Sequence, residues 1–392
     1  MVFLKKQHIK TKNNSFYTKL LVLLCLFFIG LNTHAHADQK NNENGAVIYA
    51  YHRIDELGFP ATNIQFEQFK SHIDEILNGN YNVLPLSKVV EALKNKSELP
   101  NKAVVITFEG GHRSILKKAV PLLRKHKLPF TVFFSVDQAD WQSTSYLGWT
   151  ELEELSELDY VDLGVHTATY SHLLDYDDRQ MRMQINRAKT RFREMLDEEP
   201  QFFAYPFGEF SLKAKNLVEE YGFSAALGQQ SSVANEASDI FALPRFAMTE
   251  NYGGLERFKL TANALPIKIK EFQPTDFHID SSDDNPPSIG FTFAEDYDGA
   301  KSLSCFSNSE GDLKLDHFGK RIEIRLSEPL SEGRARINCT MPAYFDETGN
   351  QRWRWFGLLF TVESSAHNSF KNNDENASDD TDFVIRDTSN DE

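Results

Sequence analysis

From residue 46 to about residue 262 the chain alternates between two patterns: short runs of consecutive apolar residues, and longer stretches where apolar residues recur at helical spacing. The runs 46–50, 103–108, 130–135, 161–165, 202–204 and 223–227 read as strands. Apolar side chains at successive positions point to both faces, so these strands need cover on both sides, as in a mostly parallel sheet flanked by helices. The stretches 66–77, 86–93, 114–126, 149–155, 177–196 and 212–221 read as those helices. Roughly six or seven strand–helix units suit a curled barrel better than a small open sheet. The predicted fold class is α/β, a distorted (β/α) barrel over residues 46–262.

After residue 265 the rhythm changes. The runs 288–293, 314–318, 321–326, 334–338 and 355–362 are short, several alternate apolar with polar, and no long helix intervenes. This predicts a small all-β sandwich domain over residues 263–365. Within it, Arg352-Trp353-Arg354-Trp355-Phe356 is conspicuous. Alternation along a strand turns both Trp to the sandwich core or the interdomain contact and both Arg to water. A sugar-stacking strand is the alternative.

The chain ends differ in kind from the body. Lys5, Lys6, Lys10, Lys12 and Lys19 precede an uncharged apolar run at 20–31, and Ala35-His36-Ala37 then gives the small-x-small pattern of a cleavage site. The run has about twelve residues, short of the roughly twenty that a membrane span needs. The reading is a signal peptide over 1–37, a flexible leader over 38–45 and an exported protein, periplasmic or secreted, with no stable membrane span after cleavage. Residues 366–392, rich in Asp, Asn and Ser, read as a disordered acidic tail. Loss of 1–37 removes five Lys and no acid, which moves the net charge from −15 to −20. Such a surface argues against a nucleic acid or anionic lipid partner and would tolerate or attract a cationic polymer. Cys305 and Cys339 remain, and predict a disulfide in an oxidising compartment.

Candidate chemistry gathers just after predicted strands, where loops of α/β barrels carry their sites. The segments are Tyr51-His52-Arg53, the run from Thr107 through Glu109, Gly110, Gly111 and His112 to Arg113, the run from Gly164 through His166 and Thr167 to Ser171 and His172, and Ala204-Tyr205-Pro206-Phe207-Gly208-Glu209. Glu109 follows a buried apolar strand, where an acid is costly unless paired or functional. Asp137 and Asp140 read as solvated acids in a loop.

In this order the segments resemble the polysaccharide deacetylases of carbohydrate esterase family 4, of the NodB-like type. That family has Thr-Phe-Asp-Asp-Gly after a strand, then a His-Thr/Ser-x-x-His loop, then a segment containing Pro and Gly. Tyr51-His52-Arg53 and Leu243-Pro244-Arg245 are similar to its exopolysaccharide-deacetylase branch. The resemblance implies hydrolysis of N-acetyl groups on a polysaccharide, with a poly-N-acetylglucosamine-type polymer as substrate. It also implies a divalent metal, zinc in most members, held by one Asp and two His, with the preceding Asp as base. Carried over, it makes Glu109 the catalytic base and His166 and His172 metal ligands. His112 is a further ligand candidate. Tyr205 and Pro206 are expected at the substrate, the Tyr205 amide as an oxyanion donor, with His52 and Arg245 as further substrate-binding candidates.

The chain departs from the pattern in three places. Gly110 stands where the family has its ligating Asp. His166 and His172 are six residues apart, against four in the family, which reads as a bulged loop or as a second ligand that points elsewhere. No late Leu-x-x-His segment supplies a general acid. These departures support a second expectation: a catalytically impaired glycan-binding or polysaccharide-assembly protein on a deacetylase scaffold.

Overall fold

The computed structural model describes residues 43–280 and 284–363. The signal-peptide and tail readings, and all but the last residues of the leader, lie outside the described residues. The predicted apolar runs form one curled sheet whose central strands are parallel. Gly45–Tyr51, Ala103–Phe108, Phe130–Phe134, Val161–Val165, Phe202–Ala204 and Ala225–Leu227 lie side by side in chain order. A closing segment then crosses from one end of the curl to the other. Leu243 bridges Leu227, and three residues later Phe246 and Ala247 pair with Tyr49 and Ala50. The sheet is therefore a distorted barrel. Its solid apolar strands are buried on both faces, with Val104, Ile106 and Phe108 in one cluster and Val105 and Phe133 in another. Burial of each such large side chain is worth about 1.5–3 kcal/mol.

The flanking helices follow from local sequence. Asp177 caps Asp178–Leu196 by accepting from the Gln180 amide at 2.7 Å, while the Gln180 side chain accepts from the Asp177 amide. That helix buries Met181, Ile185, Ala188 and Phe192, a stripe at helical spacing. Two readings need correction. The expected helix over 114–126 begins as a π-helical turn, Ile115–Ala119, before Val120–His126. Pro121 lacks the N–H that would bond back along the ladder, and its ring crowds the preceding turn. Asp137 and Asp140 lie in a short helix, Val136–Asp140, rather than in an open loop. Asp137 is buried and pairs with Arg187 at 2.8 Å, and Asp140 pairs with Arg191.

Beyond residue 265 two antiparallel-rich sheets enclose a separate apolar core, with Phe291, Ile322, Ile337, Met341 and Phe360 at its centre. Cys305 and Cys339 face each other on adjacent strands and are joined as a disulfide. The long strand Gln351–Val362 lies against the barrel. Trp355 meets Phe246 edge-on, Ser232 donates to the Trp355 carbonyl, and the bare Cα of Gly357 lets the Ser231 carbonyl approach. For Trp355 the 352–356 reading agrees with this contact. The arginine half does not. Arg352 is buried and donates to the Asn263 carbonyl, and Arg354 donates to the Pro266 carbonyl while lying over Tyr297. Both guanidiniums tie the strand to backbone carbonyls left open where the barrel ends. No described helix is long and apolar enough to cross a membrane.

Candidate functional site

A cleft of about 700 Å³ opens where the C-terminal ends of the barrel strands face the β-sheet domain. Behind its lining lies Glu109, the first residue after strand Ala103–Phe108, and Glu109 is completely buried. One carboxylate oxygen meets the guanidinium of Arg245, itself fully buried. The other accepts from Gln229 Nε2 at 2.7 Å and from the Tyr170 hydroxyl at 3.4 Å, and lies 3.3 Å from His52 Nε2. Burial by itself would raise the Glu109 carboxyl. Arg245, then His52 and His166, outweigh it and hold the group ionised far below the usual carboxylate range.

His166 follows strand Val161–Val165 and is fully buried. Its Nδ1 lies 2.7 Å from the Ala204 carbonyl, which can only accept. Nδ1 therefore carries the proton, and Nε2 accepts the Gly110 amide at 3.3 Å. Burial lowers its pKa to about 4, so the ring is neutral. The Tyr170 ring stands edge-on to it, with centroids 4.7 Å apart.

This geometry explains the unusual histidine spacing. Tyr170 is the fourth residue after His166, the place where the family spacing puts its second histidine. No bulge brings His172 back. His172 is half exposed, its Nδ1 is 2.6 Å from Glu209, and its ring stacks on Phe207 with centroids 4.1 Å apart. The expectation that His166 and His172 share a metal is corrected accordingly. His112 is buried against Tyr146, and burial pushes its pKa far down. A Cβ built on Gly110 would lie 2.7 Å from His112 Nε2, so the imidazole occupies the room that a side chain at 110 would need. Gly110 also has a φ of +75°, which disfavours any side chain.

The residues present do not fit a metal. Position 110 offers no ligand, position 170 offers a phenol committed to Glu109, and the free nitrogen of His166 already accepts a backbone amide. Among the described residues no three His, Cys, Asp or Glu side chains converge to hold a metal ion.

Three other expectations change. Arg245 is the buried counter-charge of Glu109, and its Nε donates to the Gly228 carbonyl at 2.7 Å, so it has no surface left for substrate. Tyr205 is a core residue. Its hydroxyl donates to the Phe241 carbonyl and its amide to the Leu227 carbonyl, which leaves no donor for an oxyanion. Pro206 is buried in the turn Pro206–Gly208, and it is Phe207, at φ +58°, that reaches the cleft. His52 does line the cleft, beside Glu109. Gln229, Tyr170, Arg257, Arg334 and Arg336 escaped the sequence reading. The signal for Tyr170 was present: keeping the four-residue spacing fixed lands on it.

Residues 96–226 match the family model for polysaccharide deacetylase. Among curated proteins, the poly-beta-1,6-N-acetyl-D-glucosamine N-deacetylase of Staphylococcus aureus (strain MRSA252) is 21% identical over 273 residues, covering 60% of this chain and 94% of that protein. Among solved structures, the Streptococcus pyogenes deacetylase PplD in complex with acetate superposes with a TM-score of 0.52 at 18% identity, over 56% of this chain and 98% of that one. A de-N-acetylase from Aggregatibacter actinomycetemcomitans gives 0.50 at 16% identity, over 56% and 100%. The two structural likenesses establish the fold. Family and relative together support the enzyme reading, a polysaccharide N-deacetylase, and leave room for an inactive member. The family model is matched across the strands that build the cleft, and over those residues this chain is similar to the polysaccharide deacetylases.

Proposed function

We propose that the strand-end cleft binds an N-acetylated polysaccharide and leaves its acetyl groups in place, a glycan-binding or assembly role on a deacetylase scaffold. One observation carries this reading: the His112 ring and the Tyr170 phenol fill the space around Glu109 and His166 where the family places ligands. The cleft is suited to a sugar chain. Tyr252, Phe59 and Phe306 are exposed along it, and aromatic faces stack on sugar rings, while Asn251 offers an amide to hydroxyl and acetamido groups. Poly-β-1,6-N-acetylglucosamine, the polymer in the staphylococcal relative's name, is the first probe. Residues 46–262 and 263–365 act together in this proposal, since both supply walls of the cleft. We place the protein outside the cytoplasm, periplasmic or secreted, on the N-terminal sequence pattern and the Cys305–Cys339 disulfide.

Hydrolysis of the same polymer is the second reading. It is favoured by a carboxylate, Glu109, beside His52 at the strand end. A carboxylate held ionised by a buried arginine is a weak base, however, and this weighs for binding.

Calorimetric titration with N-acetylated glucosamine oligomers and their fully de-N-acetylated counterparts tests the proposal. It expects binding that needs the acetyl groups. Equal binding of both forms, or of neither, would overturn it.

A further inference from the structure

The cleft contrasts in charge with the rest of the molecule. The chain carries a net charge of −15, yet Arg53, Arg257, Arg334 and Arg336 line the cleft and no Asp or Glu does. Two of the four are locally neutralised: Arg53 pairs with Glu56 at 3.0 Å, and Arg334 lies 3.6 Å from Glu209. The other two are not. Among the described residues Arg257 and Arg336 form no ion pair. Arg257 donates to the Tyr252 carbonyl at 2.9 Å and lies 5.3 Å from the Tyr252 ring centre, and Arg336 donates to the Gln229 carbonyl at 2.8 Å.

Both guanidiniums are half-buried. A charge taken partly out of water without a counter-charge is costly, and the cost is relieved when an anion enters. Their residual donors form planar forks that fit a carboxylate or a sulfate. Arg336 registers this, since burial first and Arg334 second lower its pKa to about 10. The two arginines come from different parts of the fold, Arg257 from the barrel helix Leu255–Ala262 and Arg336 from the strand Gly333–Phe345, with exposed Tyr252 beside Arg257. An aromatic face beside a cationic fork, with a second fork lining the same cleft, matches a sugar ring that bears an acid group.

We propose that the polysaccharide recognised here is anionic, its acid groups held by Arg257 and Arg336. This rests on the glycan-binding reading and narrows its ligand class. It also reverses what net charge alone suggested, because the local field of the cleft opposes that of the surface.

The test compares three probes on the full chain: a neutral N-acetylglucosamine oligomer, an oligomer alternating glucuronate with N-acetylglucosamine, and a sulfated counterpart of the latter. The expected result is affinity for an acidic oligomer roughly tenfold above the neutral one, a gap that narrows as salt is raised. The two acidic probes separate carboxylate from sulfate as the group held. Arg257→Met with Arg336→Met should close the gap. Arg257→Lys with Arg336→Lys should close it only in part, because charge remains and the fork is lost. If the double variant unfolds, the salt dependence of the wild-type gap still decides. Equal affinity for neutral and acidic oligomers would overturn this inference and leave the glycan reading standing. Tight binding of a polyuronate that lacks acetyl groups would uphold the anion site and sink the acetyl-dependent reading.

Discussion

Two polar clusters face the same cleft and stand in opposite states. The Glu109 cluster is closed. Its carboxylate pairs with Arg245, accepts from Gln229 and Tyr170 and lies beside His52, leaving Arg245 Nη1 and His52 Nδ1 without a hydrogen-bond partner, and Glu109 and Arg245 have no exposed surface. The Arg257–Arg336 pair is open, half-buried and bonded only to neutral acceptors, backbone carbonyls and in Arg257 also a thioether. In the first, protein atoms have taken the places a ligand would hold. In the second, charge remains to be answered. The lesson is that a family's most recognisable loops need not be where the molecule still calls for a partner.

The comparison can be broken most sharply at the closed cluster. Gly110→Asp combined with Tyr170→His, and with His112→Ala to vacate the space, restores the family's ligand types around His166. Elemental analysis should change from no stoichiometric zinc in the wild type to about one ion per chain in the triple variant. Zinc in the wild type at that level would show that the cluster is not closed.

Next in size is the ion pair itself. Glu109→Ala leaves Arg245 charged and fully buried, and should cost about 3–5 kcal/mol in denaturant unfolding. Glu109→Leu with Arg245→Met should recover most of it. A loss below about 1 kcal/mol for the single change would mean that water reaches Arg245, against the closed description.

A third effect follows from titration. His166 and His72 are buried neutral, each with a pKa lowered to about 4 by burial. Between their unfolded value near 6.5 and the folded value near 4 the unfolded chain binds more protons, so stability falls as pH falls through that window. The slope is up to about 1.4 kcal/mol per pH unit for each ring. Glu109 has a depressed pKa, so its contribution is fully present throughout that window above its unfolded value and is lost only at lower pH. Chemical unfolding at a series of pH values should show the slope, and His72→Gln should reduce it.

The smallest effect sharpens the open side. Arg334→Ala removes an exposed side chain with one distant carboxylate, and should change stability by no more than about 0.5 kcal/mol.

Much of the fold was legible because strands buried on both faces leave a pattern that survives any choice of partner. The runs at 103–108 and 161–165 match the observed strands residue for residue. Cys305 and Cys339 were legible as the only two cysteines beyond the N-terminal apolar run. The site was only half legible. Glu109 and His166 could be placed because they follow apolar strands directly. Arg245 was seen but misassigned, since nothing local says whether an arginine after a proline turns to solvent or to a carboxylate some 130 residues away. Tyr170 was passed over because a histidine two residues later drew the motif to itself. Arg257 and Arg336 could not be joined from sequence, because one lies on a helix of the barrel and the other on a strand of the β-sheet domain.

The central claim is that the cluster around Glu109 is closed to metal-assisted chemistry while the cleft still holds glycan. Acetate release from an N-acetylated oligomer bound at saturation, with zinc in excess and again with a chelator, tests it most directly. The account predicts no release above the protein-free rate under either condition. Release that the chelator abolishes, and that disappears in Glu109→Ala, would contradict it.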